Sequence, residues 1–400
     1  MAEHHEYLII GAGLAGASAV EGIRELDPSR SIALLGAERD LPYHRPPLSK
    51  QLWFGKKQVK DIFVHDRAFY EKNGAKLLLG RQAVALDVRS KTVTDSNGES
   101  HTFEKLLLAT GGRPRTLSVP GGSLSEIRYY RTLDDYQRMR AEEVEGGSAV
   151  VIGGSFIGSE MAAALSMNKL KITMIYPSRY LCERVFPQDL GLAMEHVYDS
   201  RGIQIMKGQT PTSIERKGSQ FVVRTSGGAQ IEAGMVVVGV GIKPGIELAE
   251  QGGLKTGDGI IVNERLQTSH PEVYAAGDNA RFPYRVLGTE MRVEHWDNAL
   301  NQGKHAGRNM AGAHEPYTYM PYFFSDLFEF GYEAVGEVSP QLDVTAVWQK
   351  QYDTGVIYYS RQGRIRGLMM CNVWDKVEPA RDLIRRGATA DERLPGLVKV

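Results

Sequence analysis

The chain has 400 residues, more than one hydrophobic core usually serves, so two or three domains are expected. Its 48 basic and 48 acidic side chains balance, which removes any whole-protein electrostatic case for binding nucleic acid or an acidic membrane. The two cysteines, Cys182 and Cys371, stand far apart, which excludes a disulfide framework and a close dithiol redox pair.

No apolar run has the length of a membrane span, and the first strand begins almost at the N-terminus, leaving no room for a targeting leader. A cytoplasmic enzyme is the expectation. No nucleic-acid partner and no metal site is predicted.

In chain order, Glu6–Ile10 reads as an apolar strand, Gly11–Gly16 as a glycine turn, Ala17–Leu26 as a helix and Ser31–Gly36 as a second strand. In GAGLAG, Gly11 permits the tight turn, Gly13 lets the backbone approach a pyrophosphate, and Gly16 lets the helix pack on the strand. The helix N-terminus then offers N–H groups and positive dipole to phosphates. Glu38, 22 residues past Gly16, falls where an acid accepts hydrogen bonds from a ribose.

After the loop PYHRPPLSKQLWFGKK, hairpin-like segments are expected at Leu77–Val88 and Thr92–Thr94, and Asn97-Gly98 turns into the strand Phe103–Ala109. A second βαβ start comes next: strand Ala149–Ile152, turn GGSFIG, helix Ile157–Leu165 and strand Lys171–Tyr176. Here Gly153, Gly154, Ser155, Phe156, Ile157 and Gly158 form the second cradle, with Ser155 where a glycine would let the ligand come closest. A further apolar strand in VYAAGDNA suits a return to the first sheet. Strands at Glu333–Glu337, Asp343–Gln349, Gly355–Ser360 and Arg364–Met370, then a helix at Lys376–Arg386, suggest a last α+β domain. The fold class expected is α/β, with two nested Rossmann-like dinucleotide-binding domains, residues 1–112 plus 242–320 and 113–241, and a C-terminal α+β domain, 321–400.

Together GAGLAG, PYHRPPLSK, LLLATGG, VVIGGSFIGSE and VYAAGDNA resemble the two-dinucleotide flavoprotein reductases, which implies FAD in the first domain and NADH or NADPH in the second. Within them, RPPLSK, VEHWDNALNQGKHAG and YFFSDLFEFGYEAVGEV resemble the apoptosis-inducing-factor group and the ferredoxin reductases of oxygenase systems. The resemblance places Arg45 near the FAD phosphates and Lys50 near the reactive flavin nitrogen, paired with Glu160. It also implies FAD contacts at Ala83, Thr110, Gly111, Arg131 and Asp278, with His295 and Trp296 against the flavin ring. Arg184, Gly241, Glu294, Glu333 and Asn372 match nicotinamide-nucleotide contacts. Phe324 falls where the group has a tryptophan near the nicotinamide, and with Lys50 and Glu160 completes the expected catalytic set.

Cofactor selectivity is read at the end of the second strand of such a domain, where an acid favours a free 2′-hydroxyl. This strand ends Ile175-Tyr176-Pro177-Ser178-Arg179, without an acid. Tolerance of NADPH is therefore expected, with Ser178 and Arg179 meeting the 2′-phosphate. The loop Leu48-Ser49-Lys50 carries no cysteine, which excludes the flavoprotein disulfide reductases and single-cysteine peroxidases. The expected reaction is hydride transfer from NAD(P)H to FAD, followed by electron transfer to a ferredoxin-like protein, a quinone or another acceptor. The alternative is a redox-sensing protein of apoptosis-inducing-factor type, whose long-lived reduced FAD–NAD⁺ complex controls formation of a homodimer and partner binding.

Overall fold

The computed structural model describes residues 2–142 and 146–393; residues 394–400 of the expected C-terminal domain lie outside them. The chain forms two compact units, one from residues 2–44, 59–113 and 243–322, the other from 45–58, 114–242 and 323–393.

In the first unit the strand Glu3–Ile10 is apolar from Tyr7 onward, and Leu8 and Ile9 are fully buried. It pairs in parallel with Ile32–Gly36 on one side and Ser100–Leu108 on the other. Runs that are buried on both faces belong to the interior of a parallel sheet. The segment expected as a hairpin over Leu77–Val88 divides instead at Gly80, whose φ of 69° turns the chain. Ala75–Leu79 extends the parallel sheet beside Ile32–Gly36, while Ala83–Asp87 pairs antiparallel with Thr92–Asp95. The chain returns to this sheet at Val273–Ala275, in register with Leu106–Leu108.

The helix Leu14–Arg24 starts three residues before the expected Ala17, because the last residues of the glycine turn already form its first turn. It packs on the helix Trp296–Met310 at backbone distance. A Cβ added to Gly303 or Gly307 would stand 2.2 Å from the carbonyl oxygen of Ala15 or Ala19, and one on Gly22 would stand 2.0 Å from that of Lys304. Nothing larger than hydrogen fits there, so the glycines of NQGKHAG set the helix spacing.

The second unit holds a five-stranded parallel sheet in the order Gln204–Lys207, Lys171–Tyr176, Ser148–Ile152, Met235–Val238, Arg128–Tyr129. Val150, Ile152, Val236 and Val238 pack there with Phe221 and Val223 of an antiparallel three-stranded sheet. The C-terminal part is a five-stranded sheet in the order Tyr322–Leu327, Phe330–Gly336, Arg364–Cys371, Thr354–Arg361, Asp343–Lys350, followed by the helix Val377–Arg385. The strand Tyr322–Leu327 has no turn signal after it. Phe328 makes the turn at φ 60°, stacked edge-on to Tyr198 at 5.0 Å and under the Arg201 guanidinium at 4.3 Å. Among the described residues no helix is long and apolar enough to cross a membrane.

Candidate functional site

The first cradle is shaped by what its glycines cannot carry. Gly11 sits at φ 117°, and a Cβ there would stand 2.0 Å from the carbonyl oxygen of Ala109; one on Gly16 would stand 2.1 Å from that of Gly11. Gly13 differs, because a Cβ there would meet no protein atom within 4 Å. It is the N-cap of the helix Leu14–Arg24, and no side chain caps that end. Open space before uncapped N–H groups fits a pyrophosphate.

Glu38 accepts a hydrogen bond from Tyr43 at 2.5 Å. Thr110 donates to the Gly245 carbonyl and accepts from Asn279, and the carbonyl of Gly111 accepts from Gly245 N–H. Ala83 is buried in its strand opposite Asp95. Arg292 spans the Asp278 carbonyl, at 2.9 Å, and the carboxylates of Glu294 and Asp258. His295 is the N-cap of the helix Trp296–Met310, and Trp296 Nε1 lies 2.8 Å from His44 Nδ1. Burial pushes the His295 imidazole down to about 4, against the opposing pull of the Asp278 carboxylate. Such a histidine takes up its proton more readily unfolded, near pH 6.5, so its share of stability is present above about 6.5 and is lost as pH falls toward about 4. His295→Gln should therefore flatten the acid side of the stability profile, as read by urea midpoints between pH 7 and 4.

The second cradle repeats the first in another unit. Gly153 lies at φ 128° with the Gly239 carbonyl oxygen 2.2 Å from its would-be Cβ, and Gly158 bears the same relation to Gly153 at 2.1 Å. Ser155 occupies the N-cap at φ −112°, ψ −163°, close to Gly13 at −98°, −166°. The serine costs no backbone strain. Its side chain makes no cap hydrogen bond, so the N–H groups of the helix Phe156–Met167 remain available. Gly154 is required by Tyr176, whose ring atoms would lie 2.5 Å from a Cβ there; in the first cradle the small partner is Gly36, facing Ala12. Behind the turn, Cys182 N–H donates to the Gly154 carbonyl at 2.8 Å.

Phe156 stacks edge-on against Phe323, and Phe323 against Tyr332. Ile157 and Arg184 are exposed. Next to Tyr332, Glu333 keeps Oε2 buried without a hydrogen-bond partner among the described residues, and burial, with the Asp375 carboxylate adding, pushes its pKa up. A buried acceptor lacking a donor fits the amide or hydroxyl of a nicotinamide nucleotide. Asn372, at φ 46°, accepts from Gly331 N–H, and the carbonyl of Gly241 accepts from Arg115 N–H. Arg179 forms a 2.6 Å ion pair with Glu183, which the strand-end reading had no signal to include; the Ser178 carbonyl accepts from Gly208 N–H.

The third feature is a buried cation. Pro46 and Pro47 open a single 3₁₀ turn, Pro46–Ser49, and Lys50 comes directly after it. Lys50 is 3 % exposed; its ammonium lies 3.2 Å from Glu160, 3.4 Å from Asp326 and 4.5 Å from the centre of the Phe324 ring. Glu160 accepts in addition from the hydroxyls of Ser49 and Ser325, each at 2.5 Å. A cleft of about 480 Å³ reaches both carboxylates. Arg45 donates to the Arg131 carbonyl at 2.7 Å in the same unit. Ser49, Ser325 and Asp326 were not legible as members of this cluster, since no spacing rule joins them.

The model of the pyridine nucleotide-disulphide oxidoreductases matches residues 5–303. The chain belongs to that family. Residues 306–351 match the C-terminal model of the mitochondrion-associated apoptosis-inducing factors. The oxidoreductase is 33% identical to the ferredoxin–NAD(+) reductase component of the anthranilate 1,2-dioxygenase system of Burkholderia cepacia, over 96% of this chain and 95% of that protein. It is 32% identical to apoptosis-inducing factor 1, mitochondrial, of Dictyostelium discoideum, over 98% of this chain and 80% of that one. Among solved structures it superposes on the covalent putidaredoxin reductase–putidaredoxin complex with TM-score 0.90 at 30% identity, covering 96% of this chain and 93% of that one. The oxidoreductase is FAD-dependent and uses NAD(P)H as its hydride donor.

Proposed function

We propose that this oxidoreductase delivers its electrons to a ferredoxin-type iron–sulfur protein, with Lys50 and Glu160 as the groups that tune the flavin. The observation that carries this reading is Lys50, buried between two carboxylates in a loop where Ser49 stands in place of a thiol. When bound, FAD would supply the two-electron to one-electron redox chemistry that suits a one-electron acceptor. Lys50 supplies positive charge that favours a reduced, anionic ring, and Glu160 offsets the cost of burying that charge. Phe324 holds the ammonium through its ring face. Neither cysteine serves as a relay: burial pushes the Cys182 thiol up to about 12 and raises that of Cys371 as well. The ferredoxin reductase and the reductase–putidaredoxin complex among the relatives support the choice of partner.

Gly11, Gly13, Gly16, Glu38, Arg45, Ala83, Thr110, Gly111, Arg131, Asp278, His295 and Trp296 would hold FAD. Gly154, Ser155, Phe156, Ile157, Gly158, Ser178, Arg179, Arg184, Gly241, Glu294, Glu333 and Asn372 would hold NAD(P)H. Glu183 tempers the expected tolerance of NADPH, because it already occupies Arg179. Glu183→Gln should raise kcat/KM for NADPH roughly fivefold and leave that for NADH unchanged, the scale of one exposed ion pair. An equal response of both nucleotides would show that Arg179 does not meet the 2′-phosphate.

The apoptosis-inducing-factor match over residues 306–351 favours a second reading, a redox sensor that dimerises on reduction. Anaerobic titration of the yellow protein with NADH, then timed readmission of air with and without a ferredoxin, separates the two. Fast turnover with the ferredoxin supports the reductase. Slow reoxidation with a broad long-wavelength band and a shift to dimer on gel filtration supports the sensor. No bleaching by either nucleotide would refute both.

A further inference from the structure

The sequence by itself points to no metal site, yet the fold gathers Glu3, His5 and His101 on one face of the seven-stranded sheet. Glu3 and His5 are two apart on one strand, so both side chains leave it on the same side. His101 is the partner of Glu3 on the neighbouring parallel strand. One possible ligand atom from each of the three lies within 4.8 Å of the other two. Three atoms so spaced have some point within about 2.8 Å of all of them, and small rotations bring that toward the ~2.0–2.2 Å of zinc ligands.

The histidines are unusually placed for a sheet core. His5 is 3% and His101 1% exposed, with ring centroids 5.7 Å apart. His5 Nε2 and His101 Nδ1 are both buried without a hydrogen-bond partner among the described residues. Two orphaned ring nitrogens are a cost that a bound cation would remove. The other nitrogen of His101, Nε2, lies 3.3 Å from Asp95, whose carboxylate is fixed by the N–H groups of Asn97 and Glu99 and by Arg81. A carboxylate that takes one N–H of a histidine and leaves the other nitrogen bare is the arrangement found behind metal ligands.

Asp95 and Glu99 also lie near His101, but the Arg81 guanidinium is paired with both. That trio is already neutralised. The Glu3 carboxylate accepts from Lys76 at 2.6 and 2.8 Å, has His5 Nε2 at 3.9 Å and is 43% exposed, so it offers both an entry path and an exchangeable partner.

We propose that Glu3, His5 and His101 bind one divalent cation of the zinc class, with water completing the shell, and that this ion staples the first strand to its neighbour. The site lies about 20 Å along the strand from Gly11, at ~3.3 Å per residue, so the ion acts on stability and not on hydride transfer.

The test uses the full-length, FAD-loaded, metal-stripped protein without a histidine tag, titrated with Zn²⁺ by calorimetry. One Zn²⁺ per chain is expected, with a thermal midpoint that rises on addition and falls back with EDTA. His101→Gln and Glu3→Gln should each weaken binding at least tenfold, on the scale of lost ligands or their supports. Lys76→Met should strengthen it several-fold by freeing Glu3, and as a change at an exposed position it keeps the test open if His101→Gln does not fold. Absence of stoichiometric Zn²⁺, or binding indifferent to Glu3→Gln and Lys76→Met, overturns the proposal.

Discussion

Gly13→Ser is expected to fold normally and lose its flavin, whereas Gly11→Ala is expected not to reach the native fold. The two glycines share a motif, but different physics acts on each. At Gly11 a side chain meets both a left-handed backbone, φ 117°, and a carbonyl oxygen at 2.0 Å belonging to the adjoining strand segment. The backbone term alone costs about 1–2 kcal/mol, and the overlap forces apart the parallel pair that frames the cradle. At Gly13 the backbone is ordinary and the space is open, so serine should change the stability of the apoprotein by less than about 0.5 kcal/mol. FAD held at this cradle, as proposed, would fill that space. FAD retention should fall at least tenfold, read as flavin absorbance after gel filtration beside thermal melting of the apoprotein. An equal loss of midpoint in both variants would show that Gly13 serves the fold. Ser155→Gly is the reciprocal experiment: NAD(P)H should bind more tightly, with the fold unchanged.

Lys50→Met should be the most damaging single change to the buried charge cluster. It leaves Glu160 with two hydroxyls and no cation, and Asp326 without its ammonium. Removing one partner of a buried pair typically costs about 3–5 kcal/mol. Glu160→Gln is milder, because the amide oxygen still accepts from a serine and Lys50 keeps Asp326 and the Phe324 ring. The double variant Lys50→Met/Glu160→Leu should recover part of the loss, since it removes both buried charges. In the FAD-loaded Lys50→Met protein, anaerobic bleaching by NADH should slow at least tenfold, about 1.4 kcal/mol in the barrier. Urea unfolding and stopped-flow reduction check the two parts separately. Single variants within about 1 kcal/mol of the parent would mean the pair is solvated and not a buried unit.

Both cradles were legible from short apolar runs opening into glycine turns, because those features act over fewer than twenty residues and need no distant partner. The same holds for the alternating strands of the C-terminal sheet and for Glu38 near the end of the second strand. The division of Leu77–Val88 at Gly80 was not legible as a change from parallel to antiparallel pairing, since a glycine marks a turn and does not say which strand the next segment will pair with. The strand Tyr322–Leu327 escaped notice for a related reason: Phe328 turns the chain with a glycine-like backbone, its ring held against Tyr198 and Arg201, and no glycine marks the turn.

The surroundings of the functional groups lay further out of reach. Motif similarity pairs Lys50 with Glu160, but Ser49 and Ser325 meet that carboxylate from 111 and 165 residues away, and Asp326 joins them. Glu183 comes to Arg179 through a loop whose path no propensity describes, and Tyr176 explains Gly154 only once the strand and turn are folded together. His5 and His101 are ordinary strand residues until parallel pairing stacks them. Sequence by itself determined where backbone conformation is local: turns, helix starts, strand periodicity and the absence of a thiol beside Lys50. Tertiary structure alone decided which buried charges face one another, because desolvation and pairing depend on groups that chain closure, and not sequence distance, brings together.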